Sequence, residues 1–329
     1  MVTIGYMTDL GTAPPARSMD YAVLAEQSGF QMLGASDHFY PWTHTGKGCA
    51  FAWVWLSAVA ARTGTSPVGT VVTAPILRYN PTIIAQAFAT MEQMFPRRVF
   101  LGLGAGEAIN EVPAGCEWPS PAERVKRLEE AMIIIKSLWT KDETTFNGEF
   151  FKLKKTRLYS KPIGHIPMLL AAGKPKTLEL AGKYADGLIA VPQLTGPDTI
   201  SLFEGAARRA GRDPSKLVRH LNFGVSFDAD YDRAMTACRQ EAATLLPFLF
   251  QYTVADPKEV ESYSHFIDPK ELAKNWLITT DPEDCIKNIE KYAKLGYTHY
   301  HVQSISPDEQ GFIAMMGKKV IPHFSGAPG

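Results

Sequence analysis

The order of apolar and helical segments predicts an α/β protein folded as one closed (β/α)8 barrel. Three observations lead there. Eight short apolar, β-branched runs alternate with longer segments of helical period. No Pro/Gly-rich linker divides the 329 residues. In "AEQSGF" and "AKLGY" a helical run stops on Gly29 or Gly296 just before a strand begins, the usual chemistry of a helix end. A two-domain α/β protein also alternates strands and helices, but eight strands without a linker favour a single domain over residues 1–329.

The elements follow in order. Strand Thr3–Tyr6 precedes an amphipathic helix, Met19–Ser28. Strand Met32–Ala35 leads to helix Phe51–Thr63, and the β-branched strand Val68–Ala74 to helix Thr82–Met94, with Asn80-Pro81 marking its start. Strand Val99–Leu103 precedes helix Ala122–Leu138; strands Met168–Ala171 and Gly187–Ala190 precede helices Lys176–Tyr184 and Ile200–Ala210. Strand Leu221–Ser226 is followed by helices Tyr231–Ala243 and Pro282–Leu295, then strand Tyr297–Val302 and a last helix, Asp308–Val320. Two stretches exceed minimal βα units. "FNGEFFKL", within residues 140–161, carries an Asn-Gly turn between aromatics and predicts an inserted hairpin. Residues 245–276 are helical and aromatic and predict a cap. Both are expected at the C-terminal face, where insertions shape a ligand pocket.

Composition excludes several classes. Lys plus Arg equals Asp plus Glu at 34 each, so no net field draws in nucleic acid or an anionic membrane. Cys49, Cys116, Cys238 and Cys285 are scattered and suit reduced thiols, not a disulfide framework or zinc site. The histidines lack ligand spacing, so no metal is expected. With neither a leader pattern nor a spanning apolar run, the expected address is the cytoplasm.

Chemistry is expected where strands end. Ser36-Asp37-His38-Phe39-Tyr40-Pro41-Trp42 sets a carboxylate, an imidazole and an indole just past a strand. Histidine is the side chain suited to proton transfer near neutrality, so His38 could move a proton, with Asp37 favouring its charged form; the alternative is a turn whose rings merely pack. "GLGAGE", Gly102–Glu107, has GxGxG rather than GxGxxG spacing and no acidic strand end about twenty residues on, which argues against a nicotinamide site. Its glycines let a flat ring approach the backbone while Glu107 faces the ring; Glu107 and Asn110 could equally serve a helix N-terminus. Arg78 reads as a structural ion-pair member. Gly173, Lys174 and Lys176 stand between a strand and a helix start, where amides attract anions, or where lysines are simply solvated. The absence of GxSxG argues against a hydrolase.

Taken together, "SDHFYPW", "RYNPTIIAQAFATMEQMFPRRVFLGLGAGEAINE" and "EWP" resemble the luciferase-like flavin and deazaflavin superfamily. More narrowly they resemble the branch with F420-dependent glucose-6-phosphate and secondary alcohol dehydrogenases. The resemblance spans nearly the whole chain and implies a TIM barrel binding coenzyme F420, with His38, Trp42 and Glu107 around the reacting carbon. It also implies Asp37 on the coenzyme, a non-proline cis peptide at Val71–Val72, and Ala74, Ala105, Gly106 and Asn110 along the ring. Gly173, Lys174 and Lys176 would meet the phosphate tail.

The chain also departs from the sugar-phosphate pattern. Leu194, Gln251 and Asn275 replace two lysines and an arginine, and Gly11 replaces a glutamate. A dianionic phosphate would lose its charge-assisted partners, so glucose 6-phosphate is disfavoured. The expected substrate is an alcohol or unphosphorylated sugar, in a pocket lined by Val191, Gln193, Leu194, Phe248, Gln251, Asn275 and Trp276. The alternatives are an FMN-dependent monooxygenase, a sugar-6-phosphate dehydrogenase with an altered phosphate site, and a deazaflavin binder without turnover. A homodimer is the family expectation.

Overall fold

The structure is a computed structural model that describes residues 2–45, 48–246, 249 and 252–325. Its first half runs β1 (Thr3–Thr8), α1 (Pro15–Gln27), β2 (Met32–Ala35), α2 (Ala52–Arg62), β3 (Val68–Thr73), α3 (Pro81–Met94), β4 (Val99–Leu103), α4 (Ala108–Glu111) and α5 (Pro121–Thr140). A hairpin of β5 (Thr144–Asn147) and β6 (Lys152–Thr156) follows, then β7 (Met168–Ala171), α6 (Pro175–Tyr184), β8 (Gly187–Ala190) and α7 (Thr199–Arg209). The last part runs β9 (Val218–Phe227), α8 (Tyr231–Glu241), α9 (Pro257–Tyr263), α10 (Pro269–Asn275), β10 (Leu277–Thr279), α11 (Pro282–Lys294), β11 (His299–Ser304) and α12 (Glu309–Met315).

Among the described residues, the larger sheet runs β10-β9-β11-β1-β2-β3-β4-β7-β8 and closes through a β9–β8 pairing. Every pairing in it is parallel; Ile189 of β8 faces His220 of β9, and His301 of β11 faces Asn222 of β9. Eight of its strands thus form a closed barrel, and β10 pairs only with the C-terminal end of β9, from Val225 to Phe227. Strand side chains alternate between two cores. Met7, Met32, Val71, Phe100, Leu169 and Ile189 fill the interior. Residues such as Leu33, Leu101, Leu170 and Leu221 pack outward against the helices. His220 and His301 stack inside the barrel with centroids 4.4 Å apart, and burial lowers the pKa of both, His301 to about 3.

Local chemistry explains the element ends. Asn80 accepts the Thr82 N–H at 2.9 Å and caps α3, with Pro81 in the first turn. Gly29 and Gly296 stop α1 and α11 with φ of +96° and +98°, a region that side chains disfavour.

The structure differs from expectation in three places. The seventh barrel strand starts at Val218, and β10, three residues long, carries too short a pattern to read. Because β10 extends the top of β9, everything from α8 to β10 is an insertion at the C-terminal face, and α11 takes the outer-ring place expected of α8. The β5–β6 hairpin does not lie at the mouth: it joins α5 to β7, an αβ connection at the opposite end of the barrel. No described helix is long and apolar enough to cross a membrane.

Candidate active site

The turn after β2 and the turn after β4 meet above the barrel. Glu107 opens α4, and its carboxylate comes within 3.5 Å of His38 Nε2. The Trp42 ring meets the His38 ring edge-on, centroids 5.5 Å apart. Asn110 joins the two turns: its Oδ1 accepts the Phe39 N–H at 2.9 Å and its Nδ2 donates to Glu107 Oε2 at 3.0 Å. Burial pushes the Glu107 carboxyl up, and the nearby His38 and Arg78 only partly offset it. His38 Nδ1 is buried and has no hydrogen-bond partner among the described residues.

Asp37 does not face His38. Its carboxylate takes four donors: Thr73 Oγ1 at 2.5 Å and Trp53 Nε1 at 3.2 Å on one oxygen, Arg78 Nη2 at 3.1 Å and Tyr79 OH at 3.2 Å on the other. The expectation that Asp37 charges its neighbour is therefore corrected. Thr73, Trp53, Arg78 and Tyr79 take up the Asp37 carboxylate, and Glu107 supplies the carboxylate beside His38 instead. Arg78 is the centre of a buried charge cluster. Its guanidinium donates to the Asp37 carbonyl at 2.7 Å, lies 3.4 Å from Glu111 Oε1, and covers the Tyr79 ring at 4.4 Å. The Arg78 N–H also donates to Glu111, whose carboxyl burial nonetheless pushes up to about 7. Sequence reasoning missed Glu111, Trp53, Thr73 and Tyr79. The i, i+3, i+4 spacing of Glu107, Asn110 and Glu111 was the one signal available.

The expected ring-contact residues form a compact surface beside this pair. Val71–Val72 is a cis peptide. A side chain at Gly104 would meet Val72 at 2.5 Å, and one at Gly106, which has φ +77°, would meet Ala74 at 3.2 Å. The loop through Ala105 can therefore lie against β3 only without those side chains. The close approach of Gly104 and Gly106 to Val72 and Ala74 leaves no side chain at those two positions over β3, and Glu107 follows at once in the chain.

The remaining candidates lie in separate groups. Gly173 abuts Leu194, so closely that a Cβ would sit 2.4 Å from Leu194 Cβ. The Gly173 and Lys174 amides donate to Thr177 Oγ1 at 3.4 and 3.2 Å, while Lys174 and Lys176 are exposed. Val191 is half-buried, and Gln193 and Leu194 are exposed. Asn275 donates to the Glu271 carbonyl at 2.8 Å, and Trp276 packs over Gly224 beside Ile305. Phe248 and Gln251 lie outside the described residues. A cavity of about 370 Å³ borders His38, Phe39, Cys49, Phe51, Arg78, Tyr79 and Ala114. A larger one of about 670 Å³, from Tyr6 and Asp9 to Arg233 and Glu309, does not touch His38 or Glu107. Among the described residues no group of three or more His, Cys, Asp or Glu is placed to hold a metal ion.

Residues 2–299 match the model of the luciferase-like monooxygenase family. The F420-dependent glucose-6-phosphate dehydrogenase of Nakamurella multipartita is 36% identical over 325 residues, covering 98% of this chain and 96% of its own. That of Mycolicibacterium smegmatis is 34% identical, with 97% of each chain covered. Among solved structures, an F420-dependent secondary alcohol dehydrogenase in complex with an F420-acetone adduct superposes with a TM-score of 0.93 at 38% identity, covering 97% of this chain and 98% of that one. The F420-dependent tetrahydromethanopterin reductase of Methanopyrus kandleri, at 22% identity and TM-score 0.82, covers 98% of this chain and 99% of its own and shares the fold. The chain belongs to the luciferase-like family, on the branch that holds these F420-dependent dehydrogenases.

Proposed function

We propose that the chain is an F420-dependent dehydrogenase acting on the CH–OH group of an alcohol or unphosphorylated sugar. The observation that carries the reading is the His38–Glu107 pair, 3.5 Å apart at the C-terminal rim, with Trp42 edge-on to the imidazole. Val71, Val72, Ala74, Ala105 and Gly106 would hold the deazaflavin ring, and Gly173, Lys174 and Lys176 its phosphate. Asp37 and Asn110 act there by fixing the turns, since their polar groups are already engaged. Bound deazaflavin supplies a carbon acceptor for hydride that reacts little with oxygen, which suits dehydrogenation.

This chain's residues supply the rest. His38 is half-buried with Nδ1 closed off from the surface, so Nε2, on the side of Glu107, is the nitrogen placed to accept the substrate hydroxyl proton. Trp42 orients the substrate and excludes water. Glu107, its carboxyl raised by burial, keeps a proton to deliver at higher pH than an ordinary carboxylate. The described substrate candidates Val191, Gln193, Leu194, Asn275 and Trp276 carry no cation, which supports an uncharged substrate over a sugar phosphate. We read the chain as one barrel domain working as a cytoplasmic homodimer. Titrating the protein with F420 and with FMN tests the coenzyme. Following F420 absorbance with 2-propanol, glucose and glucose 6-phosphate tests the substrate. Tight FMN binding without F420 binding would sink the proposal.

A further inference from the structure

We infer that Glu261 is a positioning residue that clasps the cap to the turn carrying His38 and Trp42, and so holds Trp42 over the substrate. Glu261 lies on α9, in the insertion between β9 and α11. Its Oε2 accepts two consecutive backbone N–H groups, from His44 at 2.9 Å and Thr45 at 3.0 Å, across more than 200 residues of sequence. The Thr45 side chain first, and then the Thr45 and His44 N–H groups, hold the carboxyl below the usual range, so it is ionised near neutrality and the bonds are charge-assisted. Beside the clasp, Trp42 and Tyr263 pack against buried Ile109, Val254 and Val260. The clasp therefore sits at the seam where the cap meets the site.

The two ends of the turn are fixed by different residues. His38 is held by Asn110 on Phe39 and by Arg78 on the Asp37 carbonyl. The stretch after Trp42 is held by Glu261. Loss of the clasp should therefore disturb Trp42 and substrate binding while leaving the His38–Glu107 pair in place. The same device recurs where no chemistry is expected: Glu130 of α5 accepts the N–H groups of Glu149, Phe150 and Phe151 and pins the β5–β6 hairpin. That gives an internal control of like chemistry on the outer flank of the barrel, along α5.

The test compares Glu261→Ala, Glu261→Gln and Glu130→Ala, and its kinetic arm rests on the dehydrogenase reading. In Glu261→Ala, hydrogen exchange at the His44 and Thr45 amides should quicken at least tenfold. KM for 2-propanol, or whichever alcohol the wild type oxidises, should rise at least fivefold with kcat and F420 affinity within twofold. Glu261→Gln, whose amide oxygen still accepts both N–H groups, should stay near wild type. Glu130→Ala should lower Tm and leave KM unchanged. Unchanged exchange and KM in Glu261→Ala would overturn the inference, as would an equal KM rise in Glu130→Ala. If the wild type oxidises no alcohol, the dehydrogenase reading fails, and amide exchange alone decides the clasp.

Discussion

The two ends of the barrel treat carboxylates in opposite ways. At the N-terminal end, burial alone would raise the Glu26 carboxyl, but the N–H groups of Ser66, Gly64 and Thr65, at 2.7–3.0 Å, outweigh it and hold it low. Asp186 behaves alike: burial is outweighed by His165 and the Met168 N–H. At the C-terminal end, burial is again the largest influence on Glu107 and Glu111, but the groups that answer it do not outweigh it, and both carboxyls end up raised. The sign of the shift is thus set by the balance between depth of burial and the donors that meet the carboxylate. One end spends its carboxylates on holding loops together; the other keeps them protonatable beside His38. Glu261 belongs to the second end by place and to the first by chemistry.

The comparison can be broken at either end. The largest effect is expected from His38→Ala, which should cut hydride transfer to F420 by about 10²–10⁴-fold, read from coenzyme absorbance at saturating substrate. Undiminished turnover would remove His38 from proton transfer. Next comes Arg78→Met, which leaves Asp37 and Glu111 buried without their cation. A loss of about 3–5 kcal/mol in denaturant unfolding is expected, and a loss below about 1 kcal/mol would show that Arg78 is not what balances the cluster.

Glu107→Gln should lower turnover by about 10²-fold and yet raise stability. The sign follows from linkage. With its pKa raised in the folded state, native Glu107 binds its proton more tightly than the unfolded chain does. Its carboxyl therefore costs stability as pH rises above the ordinary value of 4.5. Tm scans from pH 4 to 8 should show the variant gaining on the wild type with pH; a constant difference would contradict the raised value. The smallest effect is expected from Glu26→Ala: a loss of about 1 kcal/mol, or about 2 °C in Tm, with KM and kcat unchanged. Because the Glu26 pKa is depressed, that contribution is present above the unfolded value near 4.5 and vanishes as pH falls through the folded pKa. A Tm gap that persisted in acid would mean that packing, not the ionised clasp, was lost.

Much of the site was legible because strands end where chemistry gathers. His38 follows β2, and its position past a strand end marked it; Glu107 follows β4 and read equally well as a helix N-terminal carboxylate, so that its place beside the ring came from the family resemblance. Partners were harder to read. Adjacency suggested Asp37 for His38, yet the Asp37 carboxylate is taken up by Arg78 and its neighbours, and the imidazole meets a carboxylate 69 residues away in sequence (Glu107 minus His38). The glycines of "GLGAGE" were legible as a site of close approach, but not what they approach, which is Val72 and Ala74. The hairpin was visible from Asn147-Gly148, while its place at the far end follows from the helix before it and the strand after it.

By itself the sequence determined the order of strands and helices, their glycine and asparagine stops, and which residue types stand at strand ends. These depend on near neighbours and on the period of side chains along one element. Only the tertiary structure decided that β9 closes the ring, that α8 to β10 form the cap, that Arg78 rather than His38 faces Asp37, and that Glu261 reaches His44 and Thr45. Those outcomes depend on which distant groups share a dry space and how many donors enter it, and ring closure sets both.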